Sequence, residues 1–293
     1  MSISKYQAFI KTVECGSFTK AAEVMNYTQS GISRMVGDLE AEWDVVLLER
    51  GKNGVTLTSD GMKLLPILQR ICNEQNTLKS QVDSLHGMES GLIRIGTFSS
   101  VATHWLPNMI KPFHKDYPKI EFELLLGDYT EIESWIRDSR VDFGFLRLPA
   151  DLELETVFLE TDRLLAVLPE DHPCAACDRL PMAELEKNPF MLLEKSAKAE
   201  ISAIFQRNHL TPQVQFTTWD DYAIMSMVEN GLGNSILPEL ILQRIPYHIV
   251  TKELEIPAFR RIGFAMRDRE ALSLATRRFL EYLPYRKKVQ EFR

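Results

Sequence analysis

Residues Ser17–Glu40 read SFTKAAEVMNYTQSGISRMVGDLE, two short helical patterns around a break at Asn26-Tyr27. Ser17 is an N-cap by residue type, and it opens a helix over Phe18–Met25 with Ala21, Ala22, Val24 and Met25 inside. The small alanines let another helix approach closely. Thr28 caps a further helix running to about Trp43, in which Ile32, Val36 and Leu39 form one buried stripe at i, i+4 and i+7. The opposite face holds Gln29, Ser30, Ser33, Arg34 and Gly37. Upstream, residues 4–14 predict a helix with Tyr6, Phe9, Ile10 and Val13 on one face.

This pattern suits a helix-turn-helix. The second helix of that motif lies in the DNA major groove and uses its N-terminal residues on base edges. Gln29 has the geometry for adenine, Arg34 for guanine or phosphate, and the helix N-terminus attracts phosphate. An ordinary amphipathic surface helix would show the same face, so the context has to decide. Two β-type runs follow, Val45–Leu48 and Val55–Leu57, around Arg50-Gly51-Lys52-Asn53-Gly54. Asn-Gly is a strong hairpin signal. A basic tip there reads as a wing touching phosphate.

Residues 59–86 carry a heptad: Leu64, Ile71, Leu78 and Leu85 recur every seven residues, with Leu68 and Val82 at the alternating positions and Gln75 between them. Such a seam predicts a dimer coiled coil, and the alternative is a helix packed on its own chain. Pro66 removes a backbone donor near its start. Paired modules would read two half-sites and double the phosphate contacts.

From Gly91 the pattern changes. LIRIGTFSS, IEFELLLGD (Ile120–Asp128), VDFGFLRLP (Val141–Pro149), RLLAVLPEDHP, FMLLEKS, QVQFTTW, NSILPELIL and RRIGFAMRD read as strands. Helical segments such as Leu106–Tyr117, Thr130–Ser139 and Glu270–Tyr282 lie between or after them. The alternation predicts a parallel sheet of βαβ units. About 200 residues of it predict two similar subdomains.

The totals bound the function. The chain has 293 residues, 45% hydrophobic and 26% charged, an ordinary globular balance. No apolar run approaches the ~18 residues of a membrane span, and MSISKYQAFIKTVE lacks a secretory h-region, so a cytoplasmic protein without membrane partners is expected. The formal net charge of -7 argues mildly against nucleic acid. Residues 1–58 hold six basic and seven acidic residues, so DNA binding has to rest on where charges sit.

Taken together, SFTKAAEVMNYTQSGISRMVGDLEAEW, LLERGKNGVTLTSDG, VDFGFLRLP, LLAVLPEDHP and VENGLGNSILPE resemble the LysR-type transcriptional regulators over nearly the whole chain. The resemblance implies a winged helix-turn-helix (residues 1–58), a linker dimerisation helix (59–88) and a sensor domain (89–293). The sensor would comprise two α/β subdomains, about 91–161 plus 267–293 and about 162–266, similar to type 2 periplasmic binding proteins, with an effector in their cleft. It implies a dimer or tetramer on near-palindromic promoter DNA, with contact to RNA polymerase or promoter access changing on effector binding. By position, Gln29, Ser30, Ser33 and Arg34 match the family's groove-facing residues, and Arg50 and Lys52 its wing. Asp44 stands where the family usually has Gly, and Gly37 where a longer side chain is common.

In paired α/β subdomains ligands sit at strand carboxyl ends, against helix N-termini. That places Thr97, Ser99, Ser100, Thr130, Arg147, Ser196, Lys198 and Asn234 as cleft candidates; by resemblance their segments face the cleft. Hydroxyls, helix ends and basic groups favour an anionic metabolite, while Phe98, His104 and Trp105 leave an aromatic effector open. No cofactor or metal is expected. Cys174-x-x-Cys177 with His172 nearby has no second CxxC, so a plain connection is favoured over a redox pair, which would make the protein a thiol sensor. No GxSxG, GxxxxGK[ST] or HExxH occurs. Asp220-Asp221 and Glu131/Glu133 read as helix-start or surface charges, so an enzyme is disfavoured. A metabolite-binding protein without DNA would not need the N-terminal motif.

Overall fold

The computed structural model describes residues 2–51, 54–85, 91–193 and 200–287. It forms two compact units, Met1–Leu85 with Asp138–Arg140, and His86–Arg137 with Val141–Arg293.

The first unit begins with α1 (Ile3–Cys15), which ends at Gly16 with φ 61°. Helix α2 (Phe18–Met25) is capped by Ser17, whose Oγ accepts from the Lys20 amide at 3.4 Å. Asn26 ends it in the left-handed region. Helix α3 (Gln29–Trp43) is capped by Thr28, whose Oγ1 accepts from the Gly31 amide at 3.1 Å. Asp44 ends α3 at φ 54°, a conformation that Asp tolerates better than most residues. Phe9, Ala21, Ala22, Ile32, Val36 and Leu39 close one core between the three helices. Val24 points out of it, 60% exposed, because α2 buries only the Phe18–Ala21–Ala22 side.

Strands β1 (Leu48–Gly51) and β2 (Gly54–Leu57) pair antiparallel, Leu48 opposite Leu57. The first strand starts three residues later than the run Val45–Leu48 predicts. The amides of Leu47 and Leu48 donate instead to Glu40 Oε1, at 2.7 and 3.1 Å, so a carboxylate holds this connection.

Helix α4 (Ser59–Leu85) contains Pro66. The seam divides along it. Leu68 and Cys72 are buried in the helix-turn-helix core, with Leu64 packed against the same cluster. Leu68 is therefore an intramolecular packing residue rather than part of a dimer seam, while Leu64 is only partly buried against the same cluster. The physical reason is that the first turns of α4 cover the apolar underside of the three-helix core. Ile71, Leu78 and Val82, with Ile67, are exposed by 41, 64, 42 and 43%. The backbone of Leu85 closes α4; its side chain lies outside the described residues.

The second unit has β3 (Gly91–Thr97), α5 (Ser99–His104), α6 (Leu106–Asp116), β4 (Ile120–Leu126), α7 (Tyr129–Arg137), β5 (Phe143–Leu148), β6 (Glu155–Pro169) and β7 (Arg179–Leu180). Then come α8 (Glu184–Lys187), β8 (Pro189–Leu193), α9 (Glu200–Arg207), β9 (Gln213–Thr218), α10 (Asp221–Glu229), β10 (Asn234–Pro238), β11 (Ile249–Met266) and α11 (Leu274–Leu280). The sheet order is β4-β3-β5-β11-β6-β10-β8-β9, with β7 beside β11.

Two parallel sets stand at the ends, β4-β3-β5 and β10-β8-β9, as alternation predicts. Between them β6 and β11 run antiparallel to each other over most of their length. The sheet is therefore mixed. RLLAVLP is only the second half of one long strand, and RRIGFAM the second half of the other. Because both strands traverse both parallel sets, they divide the unit into two lobes. One lobe packs Phe113, Phe143, Phe145 and Phe279 with α6, α7 and α11. The other packs Phe190 and Phe205 on one side of its sheet and Met191 and Ile224 on the other. No helix among the described residues is long and apolar enough to cross a membrane.

Candidate functional sites: a helical reading face and a charged cleft

The first site is the exposed side of α3 beside the hairpin. Gln29, Ser30 and Arg34 are exposed, because the buried stripe Ile32–Val36–Leu39 turns the other side of the helix inward. Ser30 Oγ lies 3.2 Å from Thr28 Oγ1. Arg50 comes from β1, and its Nη2 donates to Ser33 Oγ at 2.8 Å while its guanidinium sits 4.5 Å from the Phe18 ring centroid. Five of the six expected contact residues thus belong to one unit, and Ser33 serves first as the anchor that aims Arg50. Lys52 lies outside the described residues. Gly37 is exposed with open space where a Cβ would stand, so nothing on α3 hinders close approach there.

The second site is built where the two lobes of the sensor unit meet. Arg260 on β11 lies directly opposite Asp162 on β6. Its Nε and Nη2 donate to Asp162 Oδ2 at 2.8 and 2.7 Å, its Nη2 also to Ser100 Oγ at 2.8 Å, and its Nη1 to the Tyr129 hydroxyl at 3.0 Å. The Phe98 ring centroid is 5.1 Å from its guanidinium carbon. A buried guanidinium survives because a carboxylate and two hydroxyls replace its lost water. Burial holds the Asp162 carboxyl above its ordinary value, even with Arg260 pulling the other way.

Around this hub lie further polar groups. Arg147 Nε, at the end of β5, is 3.4 Å from Glu200 Oε1, which opens α9, a pair that joins one lobe to the other. Asp221 lies in the first turn of α10, where Arg260 and the Ser99 hydroxyl of the other lobe favour its ionised form against the larger effect of burial. Asp221 is 7% exposed, and burial pushes its carboxyl up to about 6. Its neighbour Asp220 is a plain N-cap, accepting from the Tyr222 and Ala223 amides. Glu131 likewise bonds the Asp128 amide in a helix-start box.

Several expectations change here. Of the hydroxyls after β3, Ser99 is partly open, Ser100 is committed to Arg260, and Thr97 is wholly buried with its hydroxyl toward the Phe98 carbonyl. Thr130 is exposed and makes none of these bonds; the adjacent Tyr129 does. Asn234 does not reach the cleft. It opens β10, its amide 3.4 Å from His172 Nε2, whereas the hub meets the chain beyond the other end of that strand, where the Leu240 amide donates to Asp162. Ser196 and Lys198 lie outside the described residues. The anion expectation rested on hydroxyls, helix ends and basic groups; of the basic groups, Arg147 is paired with Glu200, and Lys198 is among the residues not described.

Sequence reasoning does not single out Arg260, Asp162, Tyr129 or Glu200, and it takes Asp221 for a surface charge. Strand parity was the available signal: Asp162 shares the buried face of Leu164, Ala166 and Leu168, and Arg260 that of Ile262, Phe264 and Met266. A charge in phase with a buried alternation needs a partner.

Cys174 is part of the second lobe's core and Cys177 packs against it. Burial pushes the Cys174 thiol up, away from thiolate. No cluster of metal-ligating side chains occurs among the described residues.

Comparison with known proteins identifies the two domains in which these residues lie. Residues 3–62 match the bacterial regulatory helix-turn-helix protein, lysR family, and residues 86–286 match the LysR substrate binding domain. The uncharacterized HTH-type transcriptional regulator YvbU of Bacillus subtilis (strain 168) is 31% identical over 96% of this chain and 97% of its own. The probable HTH-type transcriptional regulator LrrA of Synechococcus elongatus is 32% identical over 91% of this chain and 90% of its own. The crystal structure of CbnR, a LysR family transcriptional regulator, superposes with a TM-score of 0.75 at 20% identity, covering 98% of this chain and 100% of that one. CbnR complexed with its target DNA gives a TM-score of 0.73 at 21% identity, covering 98% of this chain and 100% of that one. The chain belongs to the LysR family of transcriptional regulators, non-enzymatic proteins that join a helix-turn-helix DNA-binding domain to an effector-binding domain.

Proposed function

We propose that this regulator binds dyad-symmetric promoter DNA in the cytoplasm as a dimer or dimer of dimers, and that a small molecule in the sensor cleft modulates that binding. Gln29, Ser30 and Arg34 read base edges and adjacent phosphate, Arg50, held by Ser33, and Lys52 grip phosphate, and residues 1–58 form the reading module. The observation that carries this assignment is the Arg50–Ser33 bond, which fixes a wing cation against the exposed face of α3. The exposed row Ile67, Ile71, Leu78 and Val82 supports pairing through α4, within residues 59–88, since an apolar stripe of this length invites a second helix. The cross-lobe pair Arg147–Glu200 supports effector control, because a ligand between the lobes biases them by its differential affinity for their arrangements. Access or contact of RNA polymerase at the promoter is the output.

The test is selection of fragmented genomic DNA by the purified protein at moderate salt, followed by sequencing. A few enriched sites with dyad symmetry, one beside the protein's own gene, are expected. No enrichment, with cell extract present to supply effector, refutes the assignment.

A further inference from the structure

We propose that Phe18 is a positioning residue for DNA binding: its ring, together with the Ser33 hydroxyl, holds the Arg50 guanidinium ready for a phosphate before DNA arrives. This rests on the assignment of Arg50 to phosphate made above and names what aims it.

Three elements converge on one guanidinium. Arg50 belongs to β1, Phe18 is the first residue of α2, and Ser33 lies on α3. The Phe18 ring centroid is 4.5 Å from the guanidinium carbon, and Arg50 Nη2 donates to Ser33 Oγ at 2.8 Å. Phe18 is 7% exposed and packed in the helix-turn-helix core, so its ring is a fixed platform to which the arginine comes. The hairpin that carries Arg50 is held as well. The amide of Val55, directly opposite Arg50, donates to the Gly16 carbonyl at 3.0 Å, two residues before Phe18. Gly54 approaches the same carbonyl so closely that a Cβ there would stand 2.6 Å from it. The hairpin is therefore docked on the turn that opens α2, which fixes the root of the Arg50 side chain relative to the ring.

The chemistry of the two contacts suits a phosphate ligand. A ring face and a hydroxyl orient the guanidinium without neutralising it. A carboxylate in place of Ser33 would cancel the charge that a phosphate needs. The Ser33 bond uses one of the five N–H donors, and stacking leaves the others at the edge of the guanidinium plane. A free arginine loses rotamer freedom when it grips a phosphate, whereas one held in advance has lost it on folding and binds DNA more tightly. Ser33 stands four residues after Gln29, on the same side of α3, so the aimed cation lies one helical turn from the residue assigned to base reading.

The experiment is a pair of double-mutant cycles on the full-length protein. Binding to a labelled random-sequence duplex is followed by fluorescence anisotropy over a salt series, since a phosphate contact does not require the preferred site. The variants are Phe18→Leu, Ser33→Ala and Arg50→Ala, with each of the first two also combined with Arg50→Ala. Phe18→Leu and Ser33→Ala should each weaken binding about two- to tenfold per DNA-bound copy, the scale of ordering one long side chain. Their salt slope should stay that of the parent, because the cation is retained. Neither should weaken binding further once Arg50 is Ala. A loss of the same factor with and without Arg50 would show that Phe18 acts only through packing, and overturns the proposal, as does no loss at all. Phe18→Leu also removes core contacts, so its melt is recorded; if it does not fold, the Ser33→Ala cycle decides by the same criterion. Arg50→Ala that binds as the parent does sinks the phosphate assignment and this inference together. Arg50→Ala that binds more weakly, with partners that merely add to it, sinks this inference alone.

Discussion

Replacing Asp221 by Asn should stabilise the sensor unit, and the gain should depend on pH in a defined direction. Burial raises the carboxyl from 3.8 to about 6, so ionising it costs more in the folded protein than in the unfolded chain. Raising a pKa by one corresponds to roughly 1.4 kcal/mol, which puts the cost at about 3 kcal/mol where the group is ionised in both states. The folded pKa lies above the unfolded one, so the folded state holds the extra proton between them. Stability from this group is therefore highest below about pH 4, falls as pH rises through about 4 to 6, and is flat above that. Asp221→Asn removes the charge while keeping the size and shape of the side chain. At neutral pH the variant should be more stable by up to ~3 kcal/mol, and for a domain of this size the melt should rise by roughly 6–10 °C. The two proteins should converge near pH 4. Urea denaturation at several pH values, followed by intrinsic fluorescence, measures this. A variant equal to or weaker than the parent at neutral pH, or a gap that widens on acidification, would show that the buried carboxylate carries no such cost.

Three other perturbations test the rest of the molecule. Arg260→Met leaves Asp162 buried without its partner and should cost about 3–5 kcal/mol in the same denaturation assay. Leu78→Glu, in the exposed row of α4, should convert an oligomer to monomer in light scattering without lowering helical content by circular dichroism. Gln29→Ala should cost about 1–3 kcal/mol on the preferred site and relax specificity, whereas Arg50→Ala should weaken binding to all sequences and reduce the salt slope by about one per DNA-bound copy.

The helix-turn-helix was legible because each local choice pointed the same way. Ser17 and Thr28 cap as their side chains require, Asn26 and Asp44 take the left-handed turns, and the stripe Ile32–Val36–Leu39 orients the reading face. The cleft was harder. Its hub pairs residues about a hundred positions apart on β6 and β11, and each looks like a surface charge until the register Arg260–Asp162 is known. Asp220 and Asp221 look alike in sequence, yet one caps α10 from outside and the other is buried. A one-residue step around a helix start decides between these fates, and no spacing rule resolves it. The seam of α4 was legible as a period but not as a partner: the same heptad serves the chain's own core at Leu68 and faces outward at Leu78.

Charge placement also explains how an acidic chain accommodates DNA. The reading module has seven acidic residues against six basic ones, but most of the former are occupied or turned away. Glu14 pairs with Lys11, Glu42 with Lys5, and Glu40 accepts from the amides before β1. Asp44 terminates α3 at the end opposite Gln29. Arg34 and Arg50 make no ion pair among the described residues, so their charge is available to an incoming phosphate. The carboxylates thereby work in folding the module, while the cations on its face keep their charge for the ligand. Each phosphate neutralised releases condensed counterions, so a few unpaired cations per copy, doubled by a two-fold assembly, give affinity that falls steeply with salt. Net charge counts every residue equally, but a phosphate near α3 feels mainly the groups within a Debye length, about 8 Å at physiological salt.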